Sequence, residues 1–272
     1  MAKFAASPRE MVTSFWRHRA LIGVLTKREV VGRYRGSMLG LLWSFLLPVF
    51  MLGVYTFVFS AVFKARWNAA STSRGEFALV LFAGLMVFNL FAECVNRAPA
   101  LIKQNQNYVK KVVFPLEILP WVSLGAALFH TLVSFAVWEL FYLVFFGAPS
   151  ATAPLFLVVL VPVLLLTVGL SWLLSALAVY LRDLEPLVGV FTTALMFMSP
   201  IFYPLSALPE RLRGIFALNP IAVPVEFARD VLFWARLPDA SLFGLYTLAC
   251  ALIAWAGFAC FQKLRSGFAD VL

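Results

Sequence analysis

The chain has 272 residues, of which 62% are hydrophobic and 13% charged, and its mean hydropathy is +0.91. So little polar surface cannot cover so much apolar surface, which excludes an ordinary soluble domain. The formal net charge of +9 has no basic soluble module to hold it, so it argues for topology and anionic-lipid contact and against nucleic acid as a partner.

A hydrocarbon core about 30 Å thick takes about 20 apolar residues of helix to cross. Six runs come close to that length or exceed it: 39–63, 77–95, 118–146, 154–181, 187–203 and 241–261. They predict an all-α, polytopic membrane protein of six transmembrane helices in one domain. Its parts are a cytoplasmic or interfacial segment at 1–38, spans one to five over 39–203, an external segment at 204–240, span six at 241–262 and a cytoplasmic tail at 263–272. With the N-terminus inside, most Lys and Arg residues fall on internal segments: Lys3 to Arg35, Arg97 to Lys111, Arg182, Lys263 and Arg265. That bias obeys the positive-inside rule and places both termini in the cytoplasm. The polar, basic start is unlike a cleavable signal peptide, so the whole chain is expected to stay in a plasma membrane. Cys94, Cys250 and Cys260 are odd in number and all fall inside predicted spans, which suggests reduced, packing cysteines.

In chain order, Ser7-Pro8-Arg9-Glu10 predicts a helix start, with Ser at the N-cap, Pro in the first turn and Glu closing a capping box. The mixed apolar and charged residues up to Arg35 predict an amphipathic helix in the inner headgroup layer, either an anchor or a lever for a cytoplasmic partner. Gly32, Gly36 and Gly40 recur every fourth residue and predict close approach by a neighbouring helix. In the first span, Trp43, Phe50 and Phe57 form one stripe and Tyr55, Phe59 and Phe63 a second; in the fifth, Phe191, Met198 and Phe202 share a face. Such stripes meet lipid, a neighbouring helix or a passage, and sugar rings offer C–H faces that slide along aromatic walls. Glu93 and Arg97, four residues apart in span two, are expected to neutralise each other. His130 is expected to bond a neighbouring helix, with a substrate contact as its second reading, and Glu139 to reach the headgroups.

The external segment holds Pro204, Pro209, Pro220, Pro224 and Pro238, which divide it into two pieces near 210–218 and 225–235. Each piece covers about half a bilayer at roughly 1.5 Å per residue. Short helices dipping into the outer leaflet, with Arg211, Arg213, Glu226, Arg229 and Asp230 sheltered, would form a hairpin over the exit of a conduit.

Taken together, the run from Leu25 to Trp43, the stretch Val54-Tyr-Thr-Phe-Val-Phe59, Val112 to Pro120, Tyr180-Leu-Arg-Asp183, Ser199 to Pro204 and Leu218-Asn-Pro220 resemble the permease subunits of type 2 ATP-binding-cassette exporters for cell-surface polysaccharide. That family moves O-antigen, capsule or teichoic-acid chains. The resemblance implies a homodimer with two separate ATPase subunits on the cytoplasmic face, a lipid-linked glycan substrate and a bacterial inner-membrane location. It implies a re-entrant pair at the external segment, with Pro204, Arg211, Arg213, Asn219, Pro220, Glu226 and Arg229 as gate residues. It also puts the first and fifth spans beside the passage, making Trp43, Phe50, Phe57, Tyr55, Phe59, Phe191, Met198 and Phe202 candidate conduit residues. The short polar loops, with the prelude beside them, become the ATPase-coupling surface: Glu29, Arg33, Lys103, Asn107, Tyr108, Lys110, Arg182 and Asp183.

The sequence has no Gly-x-x-x-x-Gly-Lys-Ser/Thr phosphate loop, so ATP and Mg are expected in the partner subunit and no cofactor or metal in this chain. His18 and His130 form no ligand cluster or catalytic group. Two alternatives stay open: an ATP-driven permease for a drug or small lipid, and a membrane enzyme of lipid-linked sugar synthesis, for which Asp183 and Glu185 are the only close acidic pair on the cytoplasmic side.

Overall fold

The computed structural model describes residues 5–62, 67, 75–111, 114–207, 209–211, 214 and 219–271, the side chains of 60, 61, 110, 111 and 206 aside. Among the described residues the regular structure is all helical, joined by turns and short irregular stretches.

Helix α1, Pro8–Arg33, starts where expected, with the Ser7 hydroxyl accepting from the Glu10 N–H at 3.1 Å. The capping box is only half formed, because the Glu10 carboxylate accepts instead from Arg17 at 3.1 Å and Thr13 at 3.2 Å. α1 does more than lie on a membrane surface. Its Ile22 and Leu25 are buried against Ile118 and Val122 at the start of a later helix.

The glycine expectation fails. A Cβ on Gly32, Gly36 or Gly40 would meet nothing within 4 Å. α1 ends at Arg33, and Gly36 and Gly40, at φ of +85° and +50°, supply the left-handed residues of the turn that sends the chain into the first span.

That span is a 3₁₀ turn, Gly40–Leu42, then α2, Trp43–Tyr55, then a π-helical stretch, Thr56–Val62. α3, Glu76–Gln104, is the axis of the bundle, with 83% of its most apolar stretch inside the protein. The short α4, Gln106–Lys111, leads to α5, Leu119–Phe146, which packs on α1, α2 and α3. α6, Phe156–Tyr180, runs beside α3, and α7, Leu184–Met198, touches both.

Among the described residues five helices are long and apolar enough to cross a membrane: Gly40–Phe59, Glu76–Gln104, Leu116–Phe146, Ala153–Tyr180 and Ala240–Val271. The run expected to be span five is the 15-residue α7, about 22 Å long at 1.5 Å per residue. It stops at Ser199, whose extended backbone is the conformation that Pro200 imposes on the residue before it.

Of the two pieces expected after Pro204, the first falls mostly outside the described residues. The second is α8, Ala222–Leu232, buried against α3 and α6. Asp239 then caps α9, Ala240–Leu264, accepting from the Leu242 N–H at 2.8 Å and the Ser241 hydroxyl at 2.5 Å. Those two bonds hold its exposed carboxyl below the usual carboxylate range.

α6 and α9 make the tightest crossing. A Cβ on Gly257 would lie 2.1 Å from the Gly169 carbonyl oxygen, and one on Gly169 would lie 2.6 Å from the Ala254 Cα, so neither site has room for a side chain. The two deeply buried indoles each reach a carbonyl at 2.9 Å, Trp138 on Leu79 and Trp172 on Glu117, so no indole N–H is left orphaned at depth.

Candidate functional site

The candidate residues fall in three regions: the end of the bundle that carries α1, the far end that carries α8, and the helix faces between them.

At the α1 end, Glu29 and Arg33 are one helical turn apart, as are Glu93 and Arg97 on α3. The two pairs cross: Arg97 binds Glu29 at 2.5 Å, and Arg33 binds Glu93. The expectation that Glu93 and Arg97 neutralise each other is thereby corrected, since each has its opposite charge on α1. The Tyr34 hydroxyl meets His130 Nδ1 at 3.4 Å, which bears out a bond from His130 to a neighbouring segment. Burial and Glu93 raise the Tyr34 hydroxyl above its ordinary value, so it stays a donor at neutral pH. Glu117 ties three parts of the chain together, accepting from Ser14 of α1 at 3.3 Å and pairing with Arg265, after α9, at 2.5 Å.

The other coupling candidates lie at the same end. Lys103 closes α3, half-buried, and Asn107 is exposed. Tyr108 stacks on Phe114 at 4.4 Å, and its hydroxyl accepts from Arg28 at 3.4 Å. The Lys110 side chain lies outside the described residues. Arg182 and Asp183 are exposed in the tight α6–α7 turn. Tyr108 also lines, with Glu29, Arg97 and Asn105, a cavity of about 220 Å³ between α1, α3 and α5.

At the far end, Arg229 is completely buried. Its Nε donates to the Val80 carbonyl at 3.1 Å, Nη2 to that of Ile201 at 2.7 Å, and Nη1 to Pro200 and to Glu226, the latter at 2.8 Å. The guanidinium lies 4.3 Å from the Trp67 ring centre and fits against α3 where Gly84 leaves space. Burial pulls it down to about 10 while Glu226 opposes the shift, so it remains a cation at neutral pH. Asn219 donates to Ser199 at 2.9 Å and accepts from the Ile221 N–H at 2.9 Å; the Pro220 carbonyl accepts from Tyr246 at 2.5 Å. Asn219, Pro220, Glu226 and Arg229 thus fasten α8 to α3, α7 and α9. Pro204 is half-buried, Arg211 is exposed and Arg213 lies outside the described residues. The expected shelter for Arg211 is therefore not seen.

Between the ends, α2 and α7 keep one apolar face each uncovered. Trp43, Phe50 and Phe57 are 39%, 68% and 65% exposed, and on α7 Phe191 and Met198 are 68% and 40% exposed. The second stripe is different. Phe59 stacks on Phe77 at 5.1 Å and on Phe202 at 6.5 Å, and Tyr55 packs half-buried on the core. These three are wall-to-wall packing in this structure. Phe63 lies outside the described residues.

A further stripe on α3 is written in the sequence but hidden by its hydropathy. Phe82, Met86, Asn89, Glu93 and Asn96 alternate four and three residues apart, so they form a single stripe on α3. All five line an open cavity of about 400 Å³ between α2, α3 and α5, which Arg33, Tyr34 and His130 also line. Two Asn and a Glu at that spacing inside an apolar run were the signal.

Residues 20–233 match the family of ABC-2 type transporters. The chain belongs to that family. It is a transport subunit rather than an enzyme, and in this family the ATPase is a separate subunit. It is 30% identical to the O-antigen export system permease protein RfbA of Myxococcus xanthus over 262 residues, covering 96% of this chain and 98% of the relative. A permease of the same name from Klebsiella pneumoniae is 27% identical over 256 residues, 93% and 95% of the two chains. The putative transport permease ycf38 of Cyanophora paradoxa is 25% identical, covering 93% of this chain and 91% of its own.

Proposed function

We propose that this chain is the permease of an ATP-driven exporter that carries a lipid-linked, O-antigen-like polysaccharide across a bacterial inner membrane. The observation that carries the reading is the near end-to-end likeness to relatives named as O-antigen export permeases. The bare aromatic faces of α2 and α7 support it, because a single bundle leaves them without partners. Two copies meeting around those faces would enclose a passage walled by Trp43, Phe50, Phe57, Phe191 and Met198, which sugar rings can slide along.

The α1 end, rich in Lys and Arg, then faces the cytoplasm, with both termini on that side. Two ATP-binding-cassette subunits would hold ATP and Mg there, against Lys103, Asn107, Tyr108, Lys110, Arg182 and Asp183. Glu29 and Arg33 serve as the lever that carries their motion to α3. At the outer end Pro204, Arg211 and Arg213 belong to the gating segment, and Asn219, Pro220, Glu226 and Arg229 form its fixed root.

The test is reconstitution of the permease with its co-expressed ATPase in inverted vesicles supplied with the host's own lipid-linked glycan. ATP hydrolysis and glycan uptake are expected from the complex, and neither from the permease alone. Turnover of ATP by the isolated chain, or a complex that moves small lipids but no glycan, would overturn the proposal.

A further inference from the structure

The α3 stripe changes character along its length, from Phe82 and Met86 to Asn89, Glu93 and Asn96. Asn89 and Asn96 are exposed on a helix that is otherwise the core of the bundle, and Asn96 accepts from Thr192 of α7 at 2.7 Å. Polar groups at membrane depth face a wet cavity or a polar guest, since acyl chains offer them nothing.

The charges in this cavity cancel. Arg33 is bound to Glu93, and neither is left over for an ionic ligand. What remains is neutral. The Asn89 amide has no protein partner among the described residues, and His130 Nε2 is buried without one, its other nitrogen held by Tyr34. Ser44 and Ser134 stand beside them, and Leu47, Pro48, Phe82 and Met86 give apolar walls. Neutral donors and acceptors on one side and flat apolar contact on the other match a ligand with hydroxyls on its rim and C–H groups on its faces.

We infer that the cavity between α2, α3 and α5 is a binding subsite for an uncharged sugar unit, with Asn89 and His130 as its hydrogen-bonding residues. The inference rests on the polysaccharide reading above and adds a polar station, within one protomer, to the aromatic walls.

Photocrosslinking in cells that make their own glycan tests it, with p-benzoyl-phenylalanine in place of Asn89, Phe50, Phe191 or, on α9, the exposed Leu245. Glycan adducts are expected at Asn89, Phe50 and Phe191 and not at Leu245. Adducts at Phe50 and Phe191 with none at Asn89 would leave the exporter intact and overturn the subsite. Phospholipid adducts alone at Asn89 would also overturn it, by making the cavity an acyl-facing groove. No glycan adduct at any of the four would bring down the polysaccharide reading and the subsite with it. As a second measure, Asn89→Leu is expected to lower export about fivefold, the size of a lost hydrogen bond or two, with folded yield unchanged and Asn89→Ser largely restoring it. Unchanged export in Asn89→Leu would contradict the assignment.

Discussion

On one side of α3, the neighbouring α6 and α9 cross so closely that two glycines touch backbone to backbone, and Arg229 is bonded to three carbonyls and a carboxylate. On the other side the first span and α7 touch α3 but keep Phe50, Phe57 and Phe191 about two-thirds exposed. The crossing on the first side is completed by this chain alone, although the outer face of α9 stays bare at Leu245, Leu248 and Leu252. On the proposed reading, the aromatic faces of the second are completed by a second copy and the glycan. A substitution should therefore damage folding on the first side, and assembly or transport on the second.

The largest loss is expected at the buried cation. Arg229→Ala removes the positive charge paired with Glu226 and strands the Val80, Pro200 and Ile201 carbonyls, a change on the order of 3–5 kcal/mol. Thermal unfolding of the purified permease would read it, and wild-type stability would show that α8 is held by other contacts. Next comes the α6–α9 crossing. Gly257→Ala puts a methyl carbon where only 2.1 Å is open to a backbone oxygen, so a loss of about 3 kcal/mol, the upper end for over-packing, is expected in the same assay. Gly32→Ala, with nothing within 4 Å, should be neutral or better, and serves as its control.

A smaller effect separates lever from packing at the α1 end. Arg33→Glu places two carboxylates together and should cost about 1 kcal/mol, because both partners are partly exposed, yet it should uncouple ATP hydrolysis from export. Adding Glu93→Arg restores the opposite charges and should restore coupling. A double variant no better than the single one would show that Arg33 and Glu93 act independently.

The bundle was legible because hydropathy reports burial in a membrane directly: the runs from 77, 118, 154 and 241 all became long helices. Span five, expected to reach Tyr203, stops at Met198 since Pro200 constrains its predecessor, a local rule that the apolar composition of Ile201 and Phe202 hides. Spacing alone misled where partners come from elsewhere in the chain. Gly32, Gly36 and Gly40 fit a helix contact but serve a turn, whereas Gly169 and Gly257, distant in sequence, make the real contact. Glu93 and Arg97 fit an intrahelical pair, yet the matching pair on α1 competes for both. Of the candidate site, the Trp43, Phe50 and Phe57 periodicity is visible in the chain. That Phe59 and Phe202 fold against each other is not, because their meeting depends on how α7 ends.

On the proposed reading, the first span presents a face meant for a passenger and not for the bundle's own core. Replacing Trp43, Phe50 and Phe57 together by Ala tests it in a single preparation, assayed for unfolding temperature, dimer content, basal ATPase of the complex and glycan export. Exposed side chains contribute about half a kcal/mol or less each to folding. Unfolding, dimer content and ATPase are expected to stay unchanged while export becomes markedly slower. Export that stays normal, or falls only in proportion to lost dimer or lost folded protein, would contradict it.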